Sequence, residues 1–332
     1  METLMPDRKK VGVTGLGYWG PNLARNFDLL ADLRWICDSS PELLEKQAKR
    51  YPNARATARF EDMLEDPELD AVVIATPVPT HALLAKQALE AGKNVFVEKP
   101  MAMNAADAEA MTALAEERGL VLMPGHLLLY HPGVLMLKQI VDSGDLGEVL
   151  YLYGNRQNLG KIRRDENALW SLGVHDLSVI LYLIGEEPSE AWAHGQSFLT
   201  EGVQDVVFCY LRFPSGKVAH MQLSWLDPQK MRKMTVVGRE KMVVFDDMEL
   251  DHKITVFDKA PEQPTDTYGE WQTRTGDKYS PKIPNDEPLR LECKTFLDLL
   301  EGKGDARAIA QNGLAVSRTL DQLQQSLVAE SK

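Results

Sequence analysis

The chain has 332 residues, of which 44% are hydrophobic and 26% are charged. This length predicts two domains, and the composition is that of a globular protein. The net charge of −12 argues against a nucleic-acid partner, because binding a polyphosphate needs a clustered cationic face. No apolar run has the length of a signal peptide or a membrane span, and the three cysteines lack metal-ligand spacing. We therefore expect a soluble cytoplasmic protein with no membrane partner and no metal site.

The first part of the chain alternates short β-type runs with helical stretches, which predicts a parallel sheet with crossover helices. The predicted strands are Lys10–Thr14, Leu33–Cys37, Ala71–Ala75, Asn94–Val97 and Val121–Met123. Between the last two strands, Asn104 and Gly119 stand where the N-cap and C-cap of a helix belong. Residues 1–123 are therefore predicted to form an α/β domain.

From Pro124 onward the pattern changes, and we predict an α+β domain over residues 124–332 with a mostly antiparallel sheet. A hairpin is predicted around the turn at Pro214-Ser215-Gly216. The polar, Pro-rich stretch from Ala260 to Asp286 is predicted to be a long loop. The helices are predicted at His131–Ser143, Glu166–Ile184, Leu289–Leu300 and Ala308–Leu327, and the hairpin strands at Val206–Phe213 and Lys217–Trp225.

The first hairpin strand is apolar on both faces. Val206, Phe208 and Tyr210 alternate with an equally apolar set, Val207, Cys209 and Leu211. One face can pack on helices of its own domain, whereas the other would be an exposed apolar patch on a monomer. The strand therefore predicts a homo-oligomer, a dimer or a tetramer, assembled through this sheet.

A glycine-rich turn directly follows the first predicted strand. Gly15, Gly17 and Gly20, with Tyr18 and Trp19 between them, have the G-x-G-x-x-G spacing and open a helical run, which is the context of a Rossmann dinucleotide site. Asp38, followed by Ser39, ends the second predicted strand, where a carboxylate accepts both ribose hydroxyls and repels a 2′-phosphate. We therefore predict that the cofactor is NAD rather than NADP.

Three further motifs extend the pattern beyond the glycine turn. They are Ala75-Thr76-Pro77-x-x-x-His81, then Glu98-Lys99-Pro100, then the helix that carries His175. With these motifs the chain resembles the glucose-fructose oxidoreductase/inositol dehydrogenase (Gfo/Idh/MocA) family over nearly its whole length. The resemblance implies a large open sheet in the second domain whose outer face mediates oligomerisation, and an active site between the domains. It also implies that Thr76, Pro77, His81, Glu98 and Lys99 lie on the cofactor side.

Lys99 and His175 are the predicted catalytic residues. Lys99 lies just past a strand at the carboxyl end of the sheet, where open α/β sheets bind ligands. His175 continues a polar stripe with Asn167 and Ser171, at intervals of four residues along a mostly apolar helix. Many members of the family carry Asp where this chain has Ser171, and Asp176 is not an obvious replacement because it points about 100° away. We therefore assign acid–base work to His175 with Lys99.

The substrate is predicted from basic residues that precede the His175 helix. Arg156, Lys161, Arg163 and Arg164 are a local cationic cluster, and guanidinium groups suit diphosphate oxygens, although a solvated basic loop is an equal alternative. This stretch most resembles family members that oxidise C3 of UDP-linked N-acetylglucosamine. A free sugar or inositol as substrate, and a non-catalytic dinucleotide sensor, remain the alternatives. The predicted substrate-binding residues are Lys99, His126, Asn158, Arg163, Arg164, Asn167, Ser171 and His175.

Overall fold

A computed structural model describes residues 8–164, 166–262 and 271–330. The first elements are β1 (Lys10–Thr14), α1 (Gly20–Leu30), β2 (Asp32–Cys37), α2 (Pro41–Arg50), β3 (Arg55–Thr57), α3 (Phe60–Leu64), β4 (Ala71–Ile74), α4 (His81–Glu90), β5 (Asn94–Glu98), α5 (Ala105–Arg118) and β6 (Leu122–Gly125). Then follow α6 (Pro132–Asp142), β7 (Val149–Gln157), a π-helical turn (Leu169–Gly173), α7 (Val174–Ile184), β8 (Glu190–Gln196), β9 (Val206–Arg212) and β10 (Val218–Ser224). The last are β11 (Met231–Gly238), β12 (Met242–Asp246), β13 (Ile254–Glu262), β14 (Gln272–Tyr279), α8 (Pro288–Leu300) and α9 (Ala306–Glu330).

The chain divides into two compact units. Unit 1 comprises the residues up to Leu127 and the segment Glu287–Ser317, and unit 2 comprises Leu128–Asp286 and the residues from Arg318 onward. This division differs from the predicted domains because the segment Glu287–Ser317 returns to the N-terminal unit. Within the described residues, no helix is long and apolar enough to cross a membrane.

Unit 1 is built on a parallel sheet, as predicted; its six strands follow the order β3-β2-β1-β4-β5-β6, and β3 was not predicted. Its central strands are apolar and buried on both faces, since helices cover both sides. The predicted caps of α5 are confirmed. The Asn104 side chain accepts a hydrogen bond from the Asp107 amide, and Gly119 ends the helix with a φ of 63°.

Unit 2 is built on an eight-stranded sheet in the order β14-β13-β12-β11-β7-β10-β9-β8. The β7–β10 pair is parallel and the other pairs are antiparallel, which confirms the predicted α+β architecture. The predicted hairpin is the β9–β10 pair, with Ala219 opposite Leu211. The side chains of Leu152, Val207, Cys209 and Met221 are buried on one face of this sheet.

Two predictions about unit 2 were wrong. The stretch from Ala260 to Asp286 is not a loop throughout, because β13 extends to Glu262 and pairs with β14; the rest of that prediction, residues 263–270, lies outside the described residues. The strand β14 was not predicted because its sequence is polar; it is a largely exposed edge strand. The predicted helix Glu166–Ile184 begins later than expected, and its first part is the π-helical turn Leu169–Gly173.

Candidate active site

The glycine turn between β1 and α1 has the shape that a dinucleotide requires. Gly15 has a φ of 87°, and a Cβ there would lie 2.6 Å from the Ala75 backbone. A Cβ on Gly20 would lie 1.8 Å from the Gly15 carbonyl oxygen, so helix and turn pack too closely for a side chain. A Cβ on Gly17, by contrast, would meet no described atom within 4 Å. The turn is thus closely packed at Gly15 and Gly20 and open at Gly17, which fits a pyrophosphate at the start of α1.

Asp38 joins the end of β2 to this turn. Its Oδ2 accepts a hydrogen bond from the Leu16 amide at 2.6 Å, and its Oδ1 accepts one from the Ser40 amide at 2.8 Å. Because two carboxylate oxygens offer about four acceptor sites, Asp38 can still accept ribose hydroxyls. Ser39 is exposed beside it, and Tyr18, also predicted to bind the cofactor, is 88% exposed.

His81 was predicted on the cofactor side, but the structure gives it a bridging role. The side chain is buried, with Nε2 2.8 Å from the Thr76 carbonyl oxygen and Nδ1 3.0 Å from the Pro100 carbonyl oxygen. Burial lowers the pKa of His81, and the two carbonyl groups act in the opposite direction. His81 therefore ties the Thr76–Pro77 segment to the Lys99–Pro100 segment.

Glu98 and Lys99 lie at the carboxyl end of β5. Lys99 is partly exposed, and its amide donates to Glu98 Oε2 at 3.1 Å. The Trp19 side chain of the glycine turn also hydrogen-bonds the Glu98 carboxylate. Burial raises the pKa of Glu98 to about 7, although the Lys99 charge lowers it. The predicted Glu98-Lys99-Pro100 motif is thus in direct contact with the dinucleotide turn.

His126 is buried near Lys99 in the same unit. The side chain is 3% exposed, and its Nε2 has no hydrogen-bond partner within the described part of the chain. Burial lowers the pKa of His126 to about 4, and the positive charge of Lys99 adds to this effect. At neutral pH this imidazole is therefore uncharged.

In unit 2, His175 lies in the first turn of α7 and is partly exposed. The predicted polar stripe does not hold, because π-helical bonds run from i to i+5 and interrupt the α-helical spacing before His175. Ser171 lies within the π-helical turn and is partly exposed. π-helical turns often occur at functional sites.

Asn167 was predicted to bind substrate, and this is corrected by its contacts. Its Nδ2 donates to Gln204 Oε1 and to Gln324 Oε1, both at 2.9 Å, and its Oδ1 accepts from the Trp170 amide. The side chain is buried, and its donors and acceptor are used inside unit 2. Asn167 therefore holds the π-helical turn in place and leaves the substrate set.

The basic cluster is also smaller than predicted. Arg156 is buried and donates from Nε and Nη2 to Asp176 Oδ1, at 3.0 and 2.7 Å. Arg163 pairs with Glu166 at 2.7 Å, whereas Arg164 is exposed. Asn158, partly exposed, is fixed by its amide to the Ser224 carbonyl oxygen at 3.0 Å. Arg163 and Arg164 thus remain the candidates for a diphosphate, while Arg156 is structural.

One buried residue was missed by the sequence analysis. Glu292 lies in α8, is 0% exposed, and neither carboxylate oxygen has a hydrogen-bond partner in the regions that the structure describes. Burial, followed by the charge of Glu98, raises the pKa of Glu292 well above its usual range. Its sequence signal is a carboxylate on the apolar face of a predicted helix, between Leu289 and Phe296.

Comparisons with known proteins agree with this architecture. Residues 9–126 match the profile of the oxidoreductase family with an NAD-binding Rossmann fold, and residues 134–244 match the GFO/IDH/MocA C-terminal domain. The chain is 29% identical to UDP-N-acetylglucosamine 3-dehydrogenase of Acidithiobacillus ferrooxidans over 71% of this chain and 74% of that protein. It is 25% identical to the NAD(+)-dependent scyllo-inositol 2-dehydrogenase of Bacillus subtilis over 83% and 84% of the two chains.

Solved structures give the same result over more of the chain. The A. ferrooxidans UDP-N-acetylglucosamine 3-dehydrogenase GnnA superposes with a TM-score of 0.84 at 25% identity, covering 97% of this chain and 99% of that one. GenD2 from gentamicin A biosynthesis, solved in complex with NAD, superposes with a TM-score of 0.80 at 25% identity over 99% and 96%. The chain therefore belongs to the Gfo/Idh/MocA family of oxidoreductases and is an NAD-binding dehydrogenase of the sugar and polyol class.

Proposed function

We propose that the protein oxidises the C3 hydroxyl of a UDP-linked N-acetylamino sugar to a ketone, with NAD as the hydride acceptor. The observation that carries the reaction type is the position of Lys99, at the carboxyl end of β5 and in one contact network with the glycine turn. The similarity to UDP-N-acetylglucosamine 3-dehydrogenase, over 97% of this chain, supports the substrate.

Lys99 and His175 are the two groups that we propose for the proton chemistry. Bound NAD supplies the electron sink, an oxidised nicotinamide that accepts hydride. The partly exposed His175 imidazole takes the hydroxyl proton, since histidine suits proton transfer near neutral pH. The Lys99 ammonium group stabilises the negative charge that develops on the substrate oxygen. The neutral, buried His126 beside Lys99 adds no competing positive charge at neutral pH.

We propose that Arg163 and Arg164 contribute to binding the diphosphate of the substrate, and that Ser171 and Asn158 supply hydrogen bonds. Arg163 forms an ion pair with Glu166, whereas Arg164 is exposed, so the Arg164 guanidinium is the more accessible of the two to a ligand. An unpaired Glu166 carboxylate would repel the negatively charged diphosphate. We therefore expect Arg163 to keep its ion pair with Glu166 when substrate binds.

A free sugar or inositol is the second candidate substrate. The similarity to scyllo-inositol 2-dehydrogenase over 83% of this chain favours it, as does the loss of Arg156 from the cationic cluster. A non-catalytic dinucleotide sensor would need the glycine turn and Asp38 but neither Lys99 nor His175, so the presence of both residues argues against that role.

We further propose that the protein is a cytoplasmic homodimer or homotetramer. Its three cysteines, Cys37, Cys209 and Cys293, are buried free thiols, as is common in a reducing compartment. The unburied face of the unit 2 sheet carries the exposed aromatic residues Tyr151, Trp192 and Phe208, which would be covered in an oligomer.

The reaction is tested with Lys99→Met and His175→Ala. Each should lower turnover by about 10²–10⁴-fold while NAD affinity, measured by calorimetry, stays near that of the parent protein. Lys49→Ala, at an exposed position on α2, is the control and should keep parental turnover. Near-parental turnover in either catalytic variant, on a substrate that the parent oxidises, would remove that residue from the mechanism.

The substrate is tested by following NADH absorbance with UDP-N-acetylglucosamine and with free myo-inositol. Arg164→Ala should raise KM for the nucleotide sugar about ten- to a hundredfold, because a charge-assisted hydrogen bond contributes about 1.5–3 kcal/mol. Arg163→Ala should have at least this effect, since it also leaves Glu166 without its partner. Turnover of inositol but not of the nucleotide sugar would establish the second candidate instead.

A further inference from the structure

Two carboxyl groups within unit 1, those of Glu98 and Glu292, interact electrostatically. Glu98 ends β5, and Glu292 lies in the middle of α8. The surroundings of Glu292 are apolar: one turn away, Phe296 packs edge-to-face on Phe27 and Phe96, at centroid distances of 6.1 and 5.7 Å. A carboxyl group placed here without a hydrogen-bond partner among the described residues is costly in its ionised form.

Glu98 is held against the cofactor turn from three sides. The Trp19 side chain and the Lys99 amide both donate hydrogen bonds to its carboxylate. On the third side is Gly125 of β6, where a Cβ would come within 3.2 Å of the Glu98 carboxyl carbon. Because Trp19 immediately precedes α1, these contacts connect the Glu98 carboxyl group to the start of that helix, the part of the turn that fits the dinucleotide.

The protonation of the pair follows from burial and from the charges around it. Burial raises the pKa of Glu98 to about 7, and burial with the Glu98 charge raises that of Glu292 much further. His126, which senses the Lys99 charge, is a neutral imidazole because burial lowers its pKa, and burial keeps the Cys293 thiol of α8 protonated by raising its pKa. Lys99 is the nearby cation, while Arg25 is paired with Glu287 at the start of α8. Near pH 7, therefore, Glu292 holds its proton and Glu98 is partly protonated.

We propose that Glu98 is a proton-exchange group of the cofactor site: it releases its proton when NAD⁺ binds and regains one when the cofactor is reduced, with Glu292 beside it as a permanently neutral acid. The nicotinamide ring is positively charged in NAD⁺ and neutral in NADH. A positive charge nearby favours an ionised carboxylate. On binding of NAD⁺ the Glu98 O–H bond breaks and the proton goes to water; after reduction a proton from water restores it.

This exchange makes the affinity for NAD⁺ depend on pH. Below pH 7, binding of NAD⁺ must expel the Glu98 proton, so the dissociation constant should fall by up to about tenfold for each unit of rising pH. Above pH 7 the dependence should level off, because Glu98 is already ionised. The dissociation constant for NADH should change little across the same range.

The experiment is calorimetric titration of the whole protein with NAD⁺ and with NADH at pH 7, in two buffers of different ionisation enthalpy. The buffer dependence of the heat gives the number of protons released. We expect a measurable fraction of one proton for NAD⁺, from a carboxyl group that is partly protonated at this pH, and close to none for NADH. Glu98→Gln should abolish the release. Glu292→Gln, the matched control, replaces a neutral acid with a neutral amide and should keep it.

Two outcomes would overturn the proposal: equal proton release with both cofactors, or undiminished release in Glu98→Gln, which would assign the proton to another group. If Glu98→Gln does not fold, infrared difference spectra of the unaltered protein and of Glu292→Gln replace it. Both should then lose a protonated-carboxyl band when NAD⁺ is added. No substrate is used, so failure here is distinct from failure of the proposed sugar oxidation.

Discussion

At the scale of single residues, Asp38 combines two tasks in one carboxylate. It accepts hydrogen bonds from the Leu16 and Ser40 amides, and it lies where the ribose of a dinucleotide binds. Because an amide has only one acceptor oxygen, Asp38→Asn should weaken NAD binding by about tenfold or more. It should also narrow the preference for NAD over NADP, since the charge that repels a 2′-phosphate is lost.

Calorimetric dissociation constants for both cofactors check this prediction. Asp32→Asn, at the exposed start of the same strand, is the control and should leave both constants unchanged. Equal binding of NADP and NAD by the unaltered protein would contradict the role given to Asp38.

The buried His126 makes stability depend on pH. Its pKa is lowered from 6.5 to about 4 by burial and by the Lys99 charge, so between these values the unfolded chain binds a proton that the folded chain does not. Stability from this residue is therefore complete above pH 6.5 and is lost as the pH falls toward 4, by about 3 kcal/mol at most. His126→Gln should lose less stability than the parent between pH 7 and pH 4.5.

Urea denaturation at the two pH values measures the effect. The exposed His252→Gln variant should behave like the parent protein. An identical loss of stability in the parent and in His126→Gln would show that His126 is not the responsible group.

At the scale of elements, the Arg156–Asp176 pair fixes the start of α7 to β7. Both side chains are buried. The Asp176 carboxylate packs against Gly154 of β7, where a Cβ would lie only 3.2 Å from Asp176 Oδ2. Removal of one partner from a buried ion pair leaves a charge uncompensated and costs about 3–5 kcal/mol. Arg156→Met should therefore destabilise the protein by about this amount.

Chemical denaturation provides the measurement, and a double variant separates charge from packing. Arg156→Met combined with Asp176→Leu should cost less than the sum of the single changes, because no buried charge is left alone. Lys49→Met removes an exposed pair with Glu45 and should cost less than about 1 kcal/mol. Strict additivity of the two buried substitutions would contradict a direct pair.

Elements were predictable from sequence where their signals are local. The central strand β4 of unit 1 is a continuous apolar run, and the caps at Asn104 and Gly119 lie within a few residues of the groups they satisfy. The short strand β3, Arg55–Thr57, lacks such a run and was not predicted. The site side chains were less predictable, because their partners are remote. Asn167 bonds to Gln204 and Gln324, which lie 37 and 157 residues further along the chain. A polar stripe predicts which side of a helix such a residue lies on. It does not predict whether a protein group or a ligand completes the hydrogen bonds of that residue.

At the scale of the whole molecule, local sequence patterns did not predict which distant segments of the chain pack together. The segment Glu287–Ser317 belongs with the N-terminal unit, and it brings Glu292 within electrostatic range of Glu98, almost two hundred residues away in the chain. Helical periodicity correctly predicted α8 but could not indicate which sheet it would cover.

The open face of the unit 2 sheet is the feature that predicts assembly. Trp192, Tyr210, His220 and Tyr153 follow one another across β8, β9, β10 and β7 in register. Tyr153 and His220 stack at 5.1 Å, and Trp192 and Tyr210 pack at 4.9 Å. Phe208 is 50% exposed on the same face. A row of aromatic rings on a sheet is larger than the isolated exposed apolar residues of ordinary surfaces, so a second copy of the chain is expected to cover it.

Light scattering at micromolar concentration should therefore give the mass of a dimer or a tetramer for the unaltered protein. Phe208→Lys with Trp192→Glu should shift the mass toward that of the monomer, because charges buried in an interface without partners oppose association. Leu250→Lys, at a residue 88% exposed outside this sheet face, should leave the mass unchanged. A monomer mass for the unaltered protein would contradict the prediction, and so would a double variant that stayed fully assembled, since the aromatic row would then not be the contact surface.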